Sequence, residues 1–382
     1  QYVDDLQELC ACFPLYNVRT ASYARSPLMD LSVKAYCEQL TRNTRMQAVL
    51  VGSNFLYAGD GARTPFFVHA LTVNSYIQSA YQCVLGGSQL AKALVKELRR
   101  LGGKAYKHEE VLHYTIEDNR VRSLSCRSGN SYAADQFIAN SDIKSTLASI
   151  GAAHFKPAYY KRIQAMVPTV SSFSVHLVLK PRTLPYVGYN MYHHQAEQHV
   201  WDATTYKAAA WPLMYMLSMT EDKDNPGYAD TATVLTYMDF VEVSPWEATK
   251  NTVKNKEERG DSYAEFKADK MRLIIAALQQ QLPGLEEAIR HQYASTPLSY
   301  RDYIGSHRGN LYGHVKDVNT PLLNFISPRC KLENLLFTGQ GVNMHGLLGV
   351  TIGAVATCGI LLGTEYLLSK IQSAVGDSAP EE

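Results

Sequence analysis

Between Asn334 and Cys358 the chain reads NLLFTGQGVNMHGLLGVTIGAVATC, and an imidazole, His345, stands there among Gly339, Gly341, Gly346 and Gly349, with Asn343 between them. Glycines let a backbone approach a partner closely, and the N–H groups that open a helix are free to meet an anion or a polar ring. With an ordinary pKa of about 6.5, His345 could donate a proton; it could equally do no more than bond a backbone carbonyl. Upstream, Tyr303, His307 and Tyr312 form a second group, and His69, Tyr76 and Tyr81 a third. Each tyrosine could act as a proton donor or simply wall an apolar tunnel. His193, His194 and His199 suggest a metal only at first sight, because adjacent histidines point apart and no acidic grid supports them. A solvated loop over 193–206 and no metal site are expected.

These residues need elements to hold them. Leu335–Phe337 is a short apolar run that reads as a buried strand, followed by the glycine turn and a helix of small residues from Val350 to Cys358. Met344 to Gly363 carries almost no charge and is long enough to span a bilayer, but His345, Thr351 and Thr357 interrupt it, and a buried helix is expected. Ser88–Leu101 has a leucine at 90, 94, 98 and 101, with Ser88 as its N-cap and Gly102–Gly103 as its end. Val111–Ile116, Val121–Cys126 and Tyr132–Ala139 read as a meander turned by Asp118–Asn119 and Ser128–Asn130, and Asp142 as a helix cap.

Ser174–Leu179, Leu213–Met219 and Thr233–Phe240 predict a mostly antiparallel sheet, and Tyr263–Gln281 a long helix stopped by Pro283–Gly284. Residues 1–60 look helical, with Pro27 where a helix could begin. The whole is an α/β (α+β overall) chain.

At 382 residues, 46% hydrophobic and 19% charged, the chain is long enough for two domains around sizeable cores. A formal net charge of +1 gives no electrostatic case for nucleic acid as a partner. Seven scattered cysteines, an odd number, read as reduced thiols in a cytoplasmic protein. The 25 tyrosines suit amphipathic cavity walls, although tyrosines also fill ordinary cores. Neither a G-x-S-x-G elbow nor a P-loop is present, which removes the corresponding hydrolase and nucleotide chemistries.

Three stretches carry a resemblance. FTGQGVNMHGLLGV is similar to the C-terminal flavin-contacting segment of the phytoene desaturase and all-trans-retinol saturase family of FAD-dependent oxidoreductases. FFVHALTVNSYIQSAYQCVLGGSQLAKALVKELRRLGGKAYKHEEV resembles that family's return from the substrate region to the FAD domain, and PLSYRDYIGSHRGNLYGH its approach to the active site. The resemblance runs from about Pro65 to Cys358 and is loose between about Lys144 and Thr296. It implies an incomplete FAD-binding domain of glutathione-reductase type at 80–142 and 325–375, and a substrate domain at 1–75 and 145–320.

By the same resemblance, Gly339, Gly341, Asn343, His345, Gly346 and Gly349 face the flavin, and His345, Tyr303 and Tyr312 are the catalytic candidates. In the family a hydride passes between flavin and a carbon of a long isoprenoid chain. Desaturation, saturation and isomerisation are all open here. The expected partner is an apolar small molecule, and such a substrate raises peripheral contact with a membrane.

A dinucleotide domain normally opens with a strand, G-x-G-x-x-G and a helix. This sequence contains no such motif. Since it begins at Gln1 within substrate-domain-like sequence, the expectation is a truncated portion of a longer reductase that binds FAD weakly or not at all. The rival expectation is a flavin-free protein of the same fold that binds apolar ligands or acts as a scaffold.

Overall fold

The computed structural model describes residues 1–19, 25–84, 86–202 and 204–376. Its first quarter is helical: α1 (Tyr2–Ala11), α2 (Val33–Leu40), α3 (Thr44–Leu50) and α4 (Phe66–Gln78). Pro27 opens a short 3-10 turn, and α2 starts later, where the Ser32 hydroxyl accepts the Ala35 N–H. Leu6, Leu9, Cys37, Phe66 and Ala70 close a core between these helices. His69 lies fully inside it, bonded to the Tyr2 hydroxyl at 2.6 Å and the Tyr57 hydroxyl at 2.8 Å. It is a satisfied core histidine, and burial lowers its pKa to about 3.

The next helix, α5 (Ser88–Arg100), differs from its expected form in two ways. Its N-cap is Gly87, with no side-chain capping bond, so Ser88 is already the first helical residue. None of its residues is buried, and its leucine stripe faces outward, with Leu94 72% and Leu101 69% exposed. Strands β1 (Val111–Glu117), β2 (Arg120–Cys126) and β3 (Ser131–Ala133) follow as an antiparallel meander. Asp118 and Asn119, at φ of 50° and 57°, supply the left-handed turn between the first two.

The single strand expected over Tyr132–Ala139 is two strands. β3 stays in the meander, whereas β4 (Phe137–Ala139) leaves it to pair in parallel with a strand near the other end of the chain. The amide of Asn334 makes the switch possible. Its side chain accepts from Val121 N–H at 2.8 Å and donates to the carbonyls of Val121 and Asp135, so the polar backbone exposed between the strands is satisfied. Helices α6 (Ile143–Ile150) and α7 (Pro157–Gln164) cover this unit, with Asp142 capping α6 as expected. Phe137, Leu147, Ile163, Leu335 and Phe337 form its core.

A five-stranded antiparallel sheet dominates the middle of the chain. It is built from β5 (Ser171–Leu179), β6 (Met191–His194), β7 (Met214–Glu221), β8 (Ala229–Met238) and, after α8 (Gly260–Gln279) and α9 (Leu285–Ala288), β9 (Ile289–Ser295). The order is β6-β7-β8-β5-β9. Phe173, Val175, Leu177, Leu217 and Val234 meet Ile274, Ile275 and Leu278 of α8 in its core. β6 corrects the expected loop: His193 and His194 lie on an edge strand, where His193 stacks on Tyr215 and His194 Nε2 donates to the Gly52 carbonyl at 3.0 Å.

Helix α10 (Pro297–Ile304) follows, its Asp302 carboxylate buried and paired with Arg259 and Arg301. The chain then enters β10 (Leu335–Phe337), which pairs in parallel with β4, and ends in α11 (Gly346–Leu362) and α12 (Thr364–Gly376). No helix among the described residues is long and apolar enough to cross a membrane. The seven cysteines are all free thiols.

Candidate functional site

A cavity of about 1220 Å³ opens where α11 begins. Its walls come from the turn after α1 (Phe13, Tyr16), from α4 and its exit (Leu71, Tyr76, Tyr81), and from the 343–349 segment with Ile352 and Ala356 of α11. Leu56, Tyr312 and Phe325 complete it. The lining is mainly aliphatic and aromatic, so the space suits an apolar molecule. It is also larger than the roughly 300–1,000 Å³ of ordinary small-molecule pockets.

The helix after β10 starts at Gly346, not Val350, so Gly346 and Gly349 lie in its first turn, and it is only partly buried, with Leu347 and Leu362 exposed. Gly339 has φ of +94°, and a Cβ placed there would collide with the Asn140 side-chain oxygen. Gly346, the first residue of α11, has φ of +75°, but a Cβ there would meet nothing within 4 Å. Close packing therefore excludes a side chain at Gly339, whereas Gly346 stands open to the cavity. At Gly349 a Cβ would press to 2.8 Å on Met344, which keeps the first turn of α11 tight against the turn before it. The Thr338 hydroxyl is buried with no hydrogen-bond partner among the described residues.

His345 is the N-cap residue of α11, and its Nε2 lies 3.0 Å from the Leu56 carbonyl oxygen. A carbonyl only accepts, so Nε2 carries the proton and Nδ1 is left as the acceptor. Burial pushes the His345 pKa down to about 4; the Leu56 bond raises it and the Lys316 charge lowers it further. The imidazole is thus neutral at neutral pH. Tyr312 lies beside it with its ring tilted, 4.6 Å between ring centroids, and burial raises its phenol pKa strongly, so the hydroxyl keeps its proton. Of the two, Tyr312 is the group with a proton to give.

The structure brings together Asn343, His345, Gly346, Gly349, Tyr312, Tyr76 and Tyr81 in the lining of one cavity. It does not bring Tyr303, which is 61% exposed on α10, nor His307, whose backbone N–H donates to Asp142 at 3.3 Å, nor His69 in the helical core. Gly339 and Gly341 lie in the turn behind the wall. His199 pairs with Asp202 at 3.2 Å, and among the described residues no cluster could hold a metal ion.

Sequence reasoning missed a buried polar group behind the same turn. Lys316 is fully buried, its amine donating to the Asn324 carbonyl and lying 3.0 Å from His314 Nε2. Burial lowers the Lys316 pKa to about 7 and that of His314 to about 3. Gly313 packs against Gln340 and Gly341, where a Cβ would come within 3.0 Å of the Gln340 carbonyl. Nothing in the local pattern around Lys316 marks it as buried.

The mixed α/β architecture is shared with several solved structures. Putrescine oxidase aligns at a TM-score of 0.56 and 10% identity, covering 97% of this chain and 74% of that one. An oxidoreductase from Methanosarcina mazei aligns at 0.53 and 13%, covering 94% and 72%. Cyclohexylamine oxidase from Brevibacterium oxydans also gives 0.53, at 11% identity. In sequence the chain is similar to all-trans-retinol 13,14-reductase of Rattus norvegicus, 24% identical over 374 residues that cover 91% of this chain and 60% of the relative. The Homo sapiens protein of that name is 23% identical over 363 residues, 88% of this chain and 58% of the relative. The chain therefore spans about 60% of the length of the curated relatives it matches. No family model matches it. The solved structures share the fold, and the sequence similarity is to proteins named all-trans-retinol 13,14-reductase.

Proposed function

We propose that this chain supplies the substrate cavity and the flavin-ring side of an FAD-dependent oxidoreductase acting on a C–C bond of an apolar, isoprenoid-like compound. The observation that carries the reading is the large apolar cavity with the glycine-rich start of α11 in its wall. In this reading 80–142 and 325–375 form the cofactor-side unit, and 1–75 and 145–320 the substrate-side unit. The similarity to proteins named all-trans-retinol 13,14-reductase supports the substrate class.

The residues present suit the ring end of FAD. Open space beside Gly346 and the free N–H groups of the first turn of α11 are features a flat polar ring would use. FAD held there would supply hydride exchange with a substrate carbon. Asn343, Gly346 and Gly349 would position the ring, the neutral His345 would hold the wall to Leu56, and Tyr312 would keep a proton beside the reacting carbon. The sequence has no G-x-G-x-x-G for the pyrophosphate, so the chain by itself is expected to carry no stoichiometric FAD. An absorbance spectrum of the purified chain checks this: full flavin bands would point to a binding route outside the dinucleotide fingerprint.

The reaction is tested anaerobically, with a polypeptide that contains these residues and holds FAD. Reduced protein is mixed with retinoids and carotenoids, and oxidised protein with their saturated counterparts. Electron transfer with one of these pairs supports the reading. Flavin that no such compound reoxidises or reduces would remove the isoprenoid assignment. A second reading, a flavin-free binder of apolar ligands, is favoured by the one fact that the described residues by themselves form an apolar cavity of this size. Retinol binding without any flavin requirement would favour it.

A further inference from the structure

We propose that the cavity takes an amphipathic ligand with its apolar chain inward and a carboxylate head at the mouth, held by Arg19. The inference rests on the apolar-cavity reading above and narrows it to long-chain acids over neutral alcohols or hydrocarbons.

The two ends of the cavity differ in burial and in charge. At the inner end, Tyr312 and His345 are largely buried and neutral at neutral pH, and the Leu56 carbonyl already takes the His345 proton. A carboxylate placed there would lose its water against two neutral rings, which is costly. Arg19 is exposed, so a head group beside it keeps part of its hydration.

Among the described residues two charged side chains line the cavity, Arg19 and Glu365. Glu365 lies in the first turn of α12, where the helix N-terminus already favours its negative charge. Arg19 donates from Nη2 to the Ala11 carbonyl at 2.7 Å, and among the described residues no carboxylate stands within ion-pair distance of it. A guanidinium has five donors in a planar fork, so the bond to Ala11 anchors the group and leaves donors for a carboxylate. Such a charge-assisted pair is stronger than a neutral hydrogen bond, and a hydroxyl head would gain much less. The aliphatic and aromatic wall formed by Phe13, Leu71, Phe325 and Ile352 then receives the chain.

The experiment compares all-trans-retinoic acid with all-trans-retinol, and cis-parinaric acid with its alcohol, by fluorescence titration of the purified chain at neutral pH. The expected result is that each acid binds about tenfold tighter than its alcohol, and that Arg19→Gln abolishes the difference while leaving the alcohols unchanged. Arg19→Lys should keep part of the preference, because it retains the charge but not the fork. Equal binding of acid and alcohol by the unmodified chain would overturn the carboxylate assignment and leave the apolar cavity standing. Equal loss of both probes in Arg19→Gln would also overturn it, because Arg19 would then be structural. Failure of all four probes to bind would remove both this inference and the apolar-cavity reading beneath it.

Discussion

Tyr312 and His345 face each other across 4.6 Å between ring centroids, their planes inclined by 36°. The tyrosine arrives on the irregular segment after α10 and the histidine on the cap of α11. The Leu56 carbonyl, from a third segment, fixes the imidazole. Three parts of the chain that lie far apart in sequence therefore build one neutral proton-holding pair, and each can be tested separately.

Replacing His345 with Ala should destabilise the fold by about 1–3 kcal/mol, because the Leu56 carbonyl would lose its donor in a largely buried place. His345→Gln, whose amide can still donate, should recover part of that loss. Urea denaturation of the two variants decides the matter. Equal stability of His345→Ala and the parent would mean that the bond contributes nothing.

Stability should fall on the acid side. His69, His314 and His345 have folded pKa values of about 3, 3 and 4 against an ordinary 6.5. Above pH 6.5 neither the folded nor the unfolded chain protonates them, and their full contribution is present. Below it the unfolded chain takes up protons that the folded chain refuses, so stability drops as pH falls toward 4, by up to about 1.4 kcal/mol per pH unit for each group.

Lys316 acts on the alkaline side. Its folded value of about 7 lies below the ordinary 10.5, so its unfolded form alone holds the proton between these values, and stability rises with pH across that window. Denaturation midpoints against pH should show both limbs. Lys316→Met should flatten the alkaline one and leave the acid one sloping.

Two glycines of the same turn should respond differently to alanine. Gly339→Ala combines a left-handed backbone with a collision against Asn140, and should cost several times more stability than Gly346→Ala. The latter has only the backbone strain, of the order of 1–2 kcal/mol. A thermal-shift comparison reads this directly, and equal losses would contradict the packing described around Asn140.

The leucine stripe of α5 should be silent in the isolated chain. Leu94→Lys and Leu101→Lys change exposed residues and should move stability by no more than about 0.5 kcal/mol. Leu147→Ala, in the core of the β4–β10 unit, should cost about 2–5 kcal/mol. Large losses from the α5 variants would show that in solution this stripe is covered.

Much of the frame was legible because its causes are local. The apolar run Leu335–Phe337, the glycines after it and the small-residue helix announce a strand, a turn and a tight helix through their own backbone preferences. Alternation marked β5, β7 and β8 in the same way, and Asp118–Asn119 marked the turn between β1 and β2. What the sequence left undecided depended on partners far along the chain. Tyr132–Ala139 splits into two strands because Asn334, about 200 residues away, satisfies the backbone between them. The edge strands β6 and β9 are held by main-chain pairing to a neighbour, and their polar residues carry no strand signal of their own. The periodicity of α5 asks for an apolar partner, yet only the fold shows its leucines facing outward. The cavity itself, and the burial that keeps His345 neutral and Lys316 easily deprotonated, arise from segments meeting in space, and solvent exclusion is a property of that meeting, not of any one stretch of residues.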